Sequence, residues 1–118
     1  MFSILTKNQI SPKGLGKFPG EAFVVGDKAT APDAILLRSF KLTEADLSEG
    51  LLAIGRAGAG VNNVPVPACT DRGIVVFNTP GANANAVKEL VNLAMLLSAR
   101  GIIDGVQFVS GLGHITDH

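Results

Sequence analysis

Short apolar runs separated by turn residues recur along the first two thirds of the chain. Five of them have the length of a short strand, at residues 2–5, 22–25, 34–37, 51–54 and 74–77. The runs are mostly continuous rather than alternating, which is typical of a parallel sheet buried on both faces. Helical patterns at residues 43–49 and 65–72 alternate with these runs, whereas the turn-rich first connection is mostly loop. The pattern predicts an α/β fold with a doubly wound parallel sheet of about five strands.

The last third of the chain changes character. Residues 83–100 run without proline, Asn83 is a suitable N-cap and Gly101 is a suitable residue after the last turn, so one long helix is predicted. Apolar residues lie on most sides of this helix, so it must be covered by a partner chain or by another part of the same protein. We therefore divide the chain into a domain of residues 1–82 and a segment of residues 83–118.

Composition narrows the class of protein. The chain has 118 residues, about one domain, and its 10 basic and 10 acidic residues give no indication of nucleic acid or an anionic membrane as a partner. The single cysteine, Cys69, cannot form an internal disulfide and is typical of a reducing compartment. The first residues do not resemble a signal peptide, and no apolar stretch approaches the roughly 20 residues of a membrane-spanning helix. We expect a cytoplasmic protein.

Residues 55–63, with the sequence GRAGAGVNN, form a glycine-rich turn directly after the fourth apolar run. The dinucleotide fingerprint Gly-x-Gly-x-x-Gly requires a third glycine where this chain has Asn63. It also requires an acidic residue about 20 positions later, where this chain has residues 78–81, NTPG. A second partial match at Gly111 and Gly113 also lacks the third glycine. The sequence therefore predicts that this chain alone forms no clamp for a dinucleotide cofactor.

Polar groups follow three of the predicted strands at the point where each strand ends. They are Arg38 and Ser39 after the third run, Arg56 and the glycine turn after the fourth, and Asn78 and Thr79 after the fifth. Ligands bind outside the carboxyl ends of parallel strands, so these groups are predicted to converge on one edge of the sheet. Guanidinium, hydroxyl and free backbone N–H groups suit a small oxyanion, a carboxylate or a phosphate. A strand-to-helix connection without a ligand is the alternative interpretation of the turn.

Residues 51–97, including GRAGAGVNN and the stretch VFNTPG at residues 76–81, closely resemble the substrate domain of the D-2-hydroxyacid dehydrogenase family, in particular its D-3-phosphoglycerate dehydrogenases. Residues 35–39, ILLRS, are similar to the family's arginine-bearing strand. The resemblance covers most of residues 22–110. It implies a flavodoxin-like substrate domain beside a separate Rossmann domain. The implied reaction oxidises 3-phosphoglycerate to 3-phosphohydroxypyruvate with NAD, at the entry to serine synthesis.

The resemblance assigns six residues to substrate binding: Arg38, Ser39, Gly58, Ala59, Gly60 and Asn83. The first two would hold the phosphate end of the substrate, and the three residues of the glycine turn would offer backbone N–H groups to its carboxylate. The backbone of Ala59 would also approach the cofactor, and Asn83 would lie at the cleft near the cofactor. The long helix would cross towards the Rossmann domain and help to form a homodimer.

In this family, the cofactor fingerprint and the residues of proton transfer lie beyond position 118. The resemblance therefore implies that this chain alone holds no catalytic residue, binds no NAD and is inactive. His114 and His118 are four positions apart, but we interpret them as a frayed terminus and assign them no metal. Two alternatives remain open: a stand-alone flavodoxin-like module that binds anions, and a module that serves only dimerisation.

Overall fold

The computed structural model describes residues 1–113, and the chain divides into a compact unit of residues 1–82 and a second unit that begins at Asn83. The first unit contains the strands β1 (Phe2–Lys7), β2 (Phe23–Gly26), β3 (Ala34–Leu37), β4 (Ala53–Arg56) and β5 (Val75–Phe77). All neighbouring strands are parallel, in the order β2-β1-β3-β4-β5. This is the flavodoxin-like order of a doubly wound α/β sheet, which confirms the predicted fold class.

The hydrophobic core lies against one face of the sheet. Leu5, Ile35 and Ile54 are aligned in register across β1, β3 and β4, and each is buried. The helix α2 (Val66–Asp71) and the loops around it cover this face with further buried residues, namely Leu42, Leu47, Leu51, Val64, Cys69 and Ile74. Full burial of such side chains contributes about 1.5–3 kcal/mol each. This core fixes the central strands whose carboxyl ends carry the candidate site.

The opposite face of the sheet is largely uncovered in the first unit, which corrects the expectation of a sheet buried on both faces. An apolar groove of about 320 Å³ lies on this face, and the side chains of Phe2 and Phe77 that line it are 51% and 61% exposed. The reason is the length of α1 (Pro12–Leu15), which follows β1 and has only four residues. A single helical turn cannot cover the face of a five-stranded sheet.

Among the strands only β3 has the predicted bounds, and the largest differences are in β4 and in the helix predicted over residues 43–49. β4 begins at Ala53 rather than at residue 51, because Leu51 packs into the core while the strand continues through Gly55 and Arg56 in register with β3. The helix predicted over residues 43–49 is a single 3₁₀ turn, Glu44–Asp46, because Leu47 leaves the helical conformation and enters the core. The helix predicted over residues 65–72 is α2, which is one residue shorter at each end.

The 3₁₀ turn is capped at its amino-terminal end by hydrogen bonds between Thr43 and Asp46. The backbone N–H and the hydroxyl of Thr43 both donate to Oδ2 of Asp46, at 2.7 and 2.8 Å. The backbone hydrogen bond, assisted by the hydroxyl, holds the pKa of the Asp46 carboxyl below its ordinary value. These bonds join both ends of the turn and fix the start of the segment that covers the core.

The second unit contains α3 (Ala84–Arg100) and α4 (Ile102–Ser110) in its described part. α3 matches the predicted long helix and ends at Gly101, which adopts a left-handed conformation. Asn83 occupies the N-cap position, but in the described chain its side chain makes no capping hydrogen bond, because its φ of −109° and ψ of 6° are not the extended conformation that capping requires. Large apolar side chains of α3 are exposed, among them Leu90 and Leu96 at 66% and 64%.

Three further expectations concern the membrane, metals and cysteine. None of the helices in residues 1–113 combines the length and the apolar character that crossing a membrane requires. Over the same range, His, Cys, Asp and Glu side chains form no group of three that is placed to hold a metal ion, and His114 and His118 lie outside the described residues. The Cys69 thiol is free and buried in the core, and its burial raises its pKa.

Candidate functional site

The strand order places a crevice at the carboxyl ends of β1 and β3. The chain leaves β1 for β2 on one side and enters β3 on the other, and in open α/β sheets ligands bind at such a switch point. Lys7, the last residue of β1, is paired in register with Leu37, the last residue of β3. Arg38 and Ser39 follow directly after Leu37, and both are exposed. The two residues predicted to bind phosphate therefore stand at the switch point.

The glycine turn begins beside Arg38. Leu37 and Arg56 are register partners at the ends of β3 and β4, and the backbone N–H of Ala57 donates to the carbonyl of Leu37 at 2.8 Å. The chain segments that start at Arg38 and at Ala57 therefore leave the sheet side by side. The predicted convergence of an arginine-bearing segment and a glycine turn on one edge is confirmed by this pairing.

The hydrogen bonds of the turn leave two backbone donors free. The N–H of Gly58 already donates to the carbonyl of Arg56 at 2.9 Å, and the carbonyl of Gly58 accepts from the N–H of Thr79 at 3.0 Å. The carbonyl of Ala59 accepts from Nδ2 of Asn78 at 2.7 Å. Within residues 1–113, the N–H groups of Ala59 and Gly60 donate to no other group of the chain. Successive free N–H groups in such a turn form a concave donor site for an oxyanion.

The side chain of Arg56 lies against Gly58. A Cβ atom at position 58 would collide with Nη1 of Arg56 and would lie 2.5 Å from its Cζ, and Gly58 has a φ of +155°. Only glycine accepts both conditions at this position. The Nε atom of Arg56 is buried and has no acceptor among the described residues. An unpaired buried donor costs free energy, and this Nε atom is not accessible to a ligand in the cleft.

A small cleft of about 160 Å³ lies next to the turn. Its lining combines the ends of β3, β4 and β5 with the residues that follow β1 and β5, namely Ile10, Leu36, Gly55, Arg56, Ala57, Phe77, Asn78 and Thr79. Most of these side chains are apolar, and the polar ones lie where the strands end. The surface of the cleft is almost entirely apolar, so its polar residues contribute little to the lining.

The six residues assigned to substrate binding are divided between the two units of the structure. Arg38, Ser39, Gly58, Ala59 and Gly60 all belong to one edge of the sheet in the first unit. Asn83 belongs to the second unit, where its carbonyl accepts from the N–H of Val87 at 3.1 Å. The role of Asn83 at a cleft between domains stays a prediction.

Three residues at this edge were not among those assigned from the sequence: Lys7, Asn8 and Asn63. The Nζ atom of Lys7 lies 5.0 Å from the centre of the Phe40 ring, in a cation–π arrangement at the end of β1. Asn8 and Asn63 hydrogen-bond to the segment Arg38–Phe40 from two separate loops. Their partners lie 23 to 32 positions away along the chain, and short motifs carry no signal of such pairing. The position of Asn8 directly after a strand was the one available hint.

The described residues do not fit the phosphates of a dinucleotide. Dinucleotide sites place a glycine turn directly at the start of a long helix. Here α2 begins at Val66, several residues after Gly60, and it has six residues with prolines at its start. That the turn is not a Rossmann clamp stays a prediction.

Comparison with known families decides the class of this chain. Residues 21–111 match the model described as "D-isomer specific 2-hydroxyacid dehydrogenase, catalytic domain". The chain belongs to this family. The matched residues include all of β2 to β5 and both segments of the candidate site, so the D-2-hydroxyacid dehydrogenase resemblance stated from the sequence is confirmed.

Individual relatives carry related names. The chain is 49% identical over 75 residues to the D-3-phosphoglycerate dehydrogenase of Synechocystis, with 61% of this chain and 14% of that protein covered. It is 40% identical over 79 residues to the D-3-phosphoglycerate dehydrogenase of Methanocaldococcus jannaschii, with 64% of this chain and 15% of that protein covered. It is 42% identical over 73 residues to the hydroxypyruvate reductase of Thermotoga maritima, with 59% and 24% covered. The match thus spans about a seventh of the length of the first two of these relatives.

Solved structures of the same family have the same fold. The NAD-bound 3-phosphoglycerate dehydrogenase of Entamoeba histolytica matches with a TM-score of 0.65 at 28% identity, over 81% of this chain and 38% of that one. The phosphoglycerate dehydrogenase of Lactobacillus plantarum matches with a TM-score of 0.51 at 23% identity, over 85% of this chain and 36% of that one. At this identity the match supports the fold alone. The first unit of this chain is therefore a flavodoxin-like domain of the D-2-hydroxyacid dehydrogenase family.

Proposed function

We propose that this chain is the substrate-binding part of a cytoplasmic NAD-dependent D-3-phosphoglycerate dehydrogenase, which oxidises 3-phosphoglycerate to 3-phosphohydroxypyruvate at the entry to serine synthesis. The observation that carries the proposal is the pairing of Leu37 with Arg56, which starts the Arg38 segment and the glycine turn side by side at the switch point. The names of the relatives favour a phosphorylated 2-hydroxy acid as the substrate. The free buried thiol of Cys69 is in keeping with a reducing cytoplasm.

The two ends of this substrate would bind to two different parts of the edge. Arg38 and Ser39 would hold the phosphate, because a guanidinium fork and a hydroxyl match its oxygen atoms. The free N–H groups of Ala59 and Gly60 would receive the carboxylate, while Gly58 shapes the turn through its positive φ. The reactive carbon between the two ends would then face away from the sheet.

The cofactor and the proton chemistry belong, in this proposal, to a Rossmann domain of the same protein. Hydride transfer requires a protein that positions the nicotinamide, and the described residues do not fit a dinucleotide. The contribution of this chain would be the orientation of the substrate, with backbone contacts from Ala59 and with Asn83 near the cofactor. We therefore propose that the 118-residue chain alone binds no NAD and catalyses no oxidation.

A nuclear magnetic resonance titration tests the proposed function. We expect 3-phosphoglycerate, added at millimolar concentration to the ¹⁵N-labelled chain, to shift the amide signals of Ser39, Ala59 and Gly60 most, because these groups lie at the proposed contacts. D-glycerate, which lacks the phosphate, should shift Ala59 and Gly60 but leave Ser39 almost unchanged. NAD should shift none of the three. Shifts confined to other parts of the chain, or strong NAD binding with turnover, would contradict the proposal.

A dimerisation role is the second candidate, and the exposed apolar surface of α3 favours it. We propose that a second copy of this chain covers Leu90 and Leu96, which are more than half exposed. Sedimentation at tens of micromolar should show a dimer, and Leu90→Glu should give a monomer because it would bury a charge in the contact. The matched control Glu89→Gln, one position away, should stay dimeric. A strict monomer of the unaltered chain would rule out this role for α3.

A further inference from the structure

The segment Arg38–Phe40 is hydrogen-bonded from two sides by asparagines of distant loops. Oδ1 of Asn8 accepts from the N–H groups of Ser39 and Phe40, at 3.0 and 2.6 Å. Nδ2 of Asn63 donates to the carbonyls of Arg38 and Phe40, at 3.2 and 2.7 Å. Four backbone groups of three consecutive residues are thereby fixed by two side chains. The segment leaves the sheet immediately after β3, where no ladder hydrogen bonds continue to hold it.

The backbone partners determine which end of each asparagine is used. Backbone N–H groups only donate and carbonyls only accept, so Asn8 must present its oxygen and Asn63 must present its nitrogen. Asn8 adopts a φ of +69°, a conformation that asparagine, aspartate and glycine adopt at low cost. The Oδ1 atom of Asn63 is buried and has no partner among the described residues, so its two donated bonds are what the structure assigns to this side chain.

Further contacts fix the same segment in place. The N–H of Leu42 donates to the carbonyl of Asn63 at 2.9 Å, which joins the chain just after Phe40 to the loop that carries Asn63. The ring of Phe40 packs against the core, and Nζ of Lys7 lies over it. Arg38 and Ser39 therefore extend from a backbone that is anchored on both sides before any ligand arrives.

We propose that Asn8 and Asn63 are positioning residues that hold Arg38 and Ser39 in the geometry that binds the phosphate group of the substrate. This inference rests on the proposed function, in which Arg38 and Ser39 contact that group. Binding is weakened by whatever freedom a site must lose when the ligand arrives, so a segment held in advance binds more tightly. The two asparagines act through the backbone of the segment and touch no substrate atom.

The opposite polarity of the two asparagines gives a sharp test. The same change, asparagine to aspartate, keeps the acceptor at position 8 but places a carboxylate against two carbonyls at position 63. We expect Asn8→Asp to bind 3-phosphoglycerate within about threefold of the unaltered chain, because the added charge is exposed and screened. Asn8→Gly keeps the backbone conformation but removes the acceptor, and it should bind about tenfold more weakly. Asn63→Asp should weaken binding by at least as much, and Asn63→Ala, which adds no charge, provides the same test should Asn63→Asp fail to fold.

Two measurements on the 118-residue chain separate the possible outcomes. The first is the dissociation constant for 3-phosphoglycerate, with the urea midpoint of each variant as a control for general destabilisation. The second is amide hydrogen exchange of Ser39 and Phe40 without ligand, which should quicken about tenfold in Asn8→Gly and stay slow in Asn8→Asp. Equal binding by all variants would overturn the positioning role while the proposed function stands. Failure of the unaltered chain to bind would overturn the proposed function and this inference together.

Discussion

Gly58→Ala is expected to weaken binding of 3-phosphoglycerate by tenfold or more. The added Cβ would occupy the place of the Arg56 guanidinium, which must move away from the cleft beside the turn. The positive φ of Gly58 adds backbone strain, because alanine rarely adopts such a conformation and loses roughly 1–3 kcal/mol in it. Both effects would disturb the two free N–H groups that follow in the turn. Calorimetric titration of the variant against the unaltered chain measures the loss.

Gly73→Ala is the matched control for this prediction. Gly73 also has a positive φ, of +70°, but no atom lies within 4 Å of the position of an added Cβ. It ends α2, before β5, and so lies towards the opposite edge of the sheet. Both variants should lose comparable stability in urea, whereas only Gly58→Ala should lose affinity. A Gly58→Ala chain that binds as tightly as Gly73→Ala would show that Arg56 and the turn have no part in binding.

The fold was predictable because its signals are local. Continuous apolar runs such as residues 34–37 mark strands that lie inside a parallel sheet, and glycines or prolines between them mark the connections. The exact residues at which a strand begins and ends depend on its hydrogen-bonded pairing with neighbouring strands, which are distant in sequence. β4 extends to Arg56 because Leu37 of β3 is there to pair with it, while the apolar Leu51 packs into the core instead. The apolar run at residues 51–54 had predicted that Leu51 belongs to the strand.

The sequence did not predict correctly which faces of the sheet are covered, because this too depends on contacts that are not local. Apolar runs indicate that a sheet has two apolar faces, but they do not indicate what covers each face. The residues between β1 and β2 are rich in glycine and proline and form only the four-residue α1, so one face with Phe2 and Phe77 stays exposed. The core side has α2 and the loop around Leu47, whose apolar side chains pack in the same core as those of the strands.

The placement of Arg38 and the glycine turn at one edge could be predicted from the sequence, whereas the hydrogen bonds that hold the Arg38 segment could not. Arg38 and the glycine turn follow strands directly, so the rule for parallel sheets was enough to bring them together. Asn8 and Asn63 act through single amide groups on a segment far away in sequence. An asparagine in a loop has many possible roles, and only the folded positions of its neighbours reveal which one it has. The hydrogen bond from the Gly58 N–H to the Arg56 carbonyl could likewise not be predicted, since it depends on backbone angles.

Arg38→Ala carries the second large expected effect. Arg38 is the arginine at the switch point, and in our account it donates to the phosphate oxygens of the substrate. Hydrogen bonds to charged groups contribute about 1.5–3 kcal/mol, so its loss should weaken binding by about 10–100-fold. Arg38→Lys keeps the charge but not the bidentate fork, so its affinity for 3-phosphoglycerate should lie between those of the unaltered chain and Arg38→Ala. High salt should narrow these differences, because the site is exposed.

Arg72→Ala is the matched control, since it removes the same charge near the opposite edge of the sheet. Nη1 of Arg72 donates to the carbonyl of Leu47 at 2.8 Å, so this variant should lose a little stability and no affinity.

The central claim is that Arg38, at one edge of this sheet, binds the phosphate group of an organic phosphate. Isothermal titration of 3-phosphoglycerate into the unaltered chain, Arg38→Ala and Arg72→Ala tests this claim most directly. The account predicts millimolar binding by the unaltered chain and by Arg72→Ala, with binding by Arg38→Ala at least tenfold weaker. Indistinguishable heats from Arg38→Ala and the unaltered chain would contradict it.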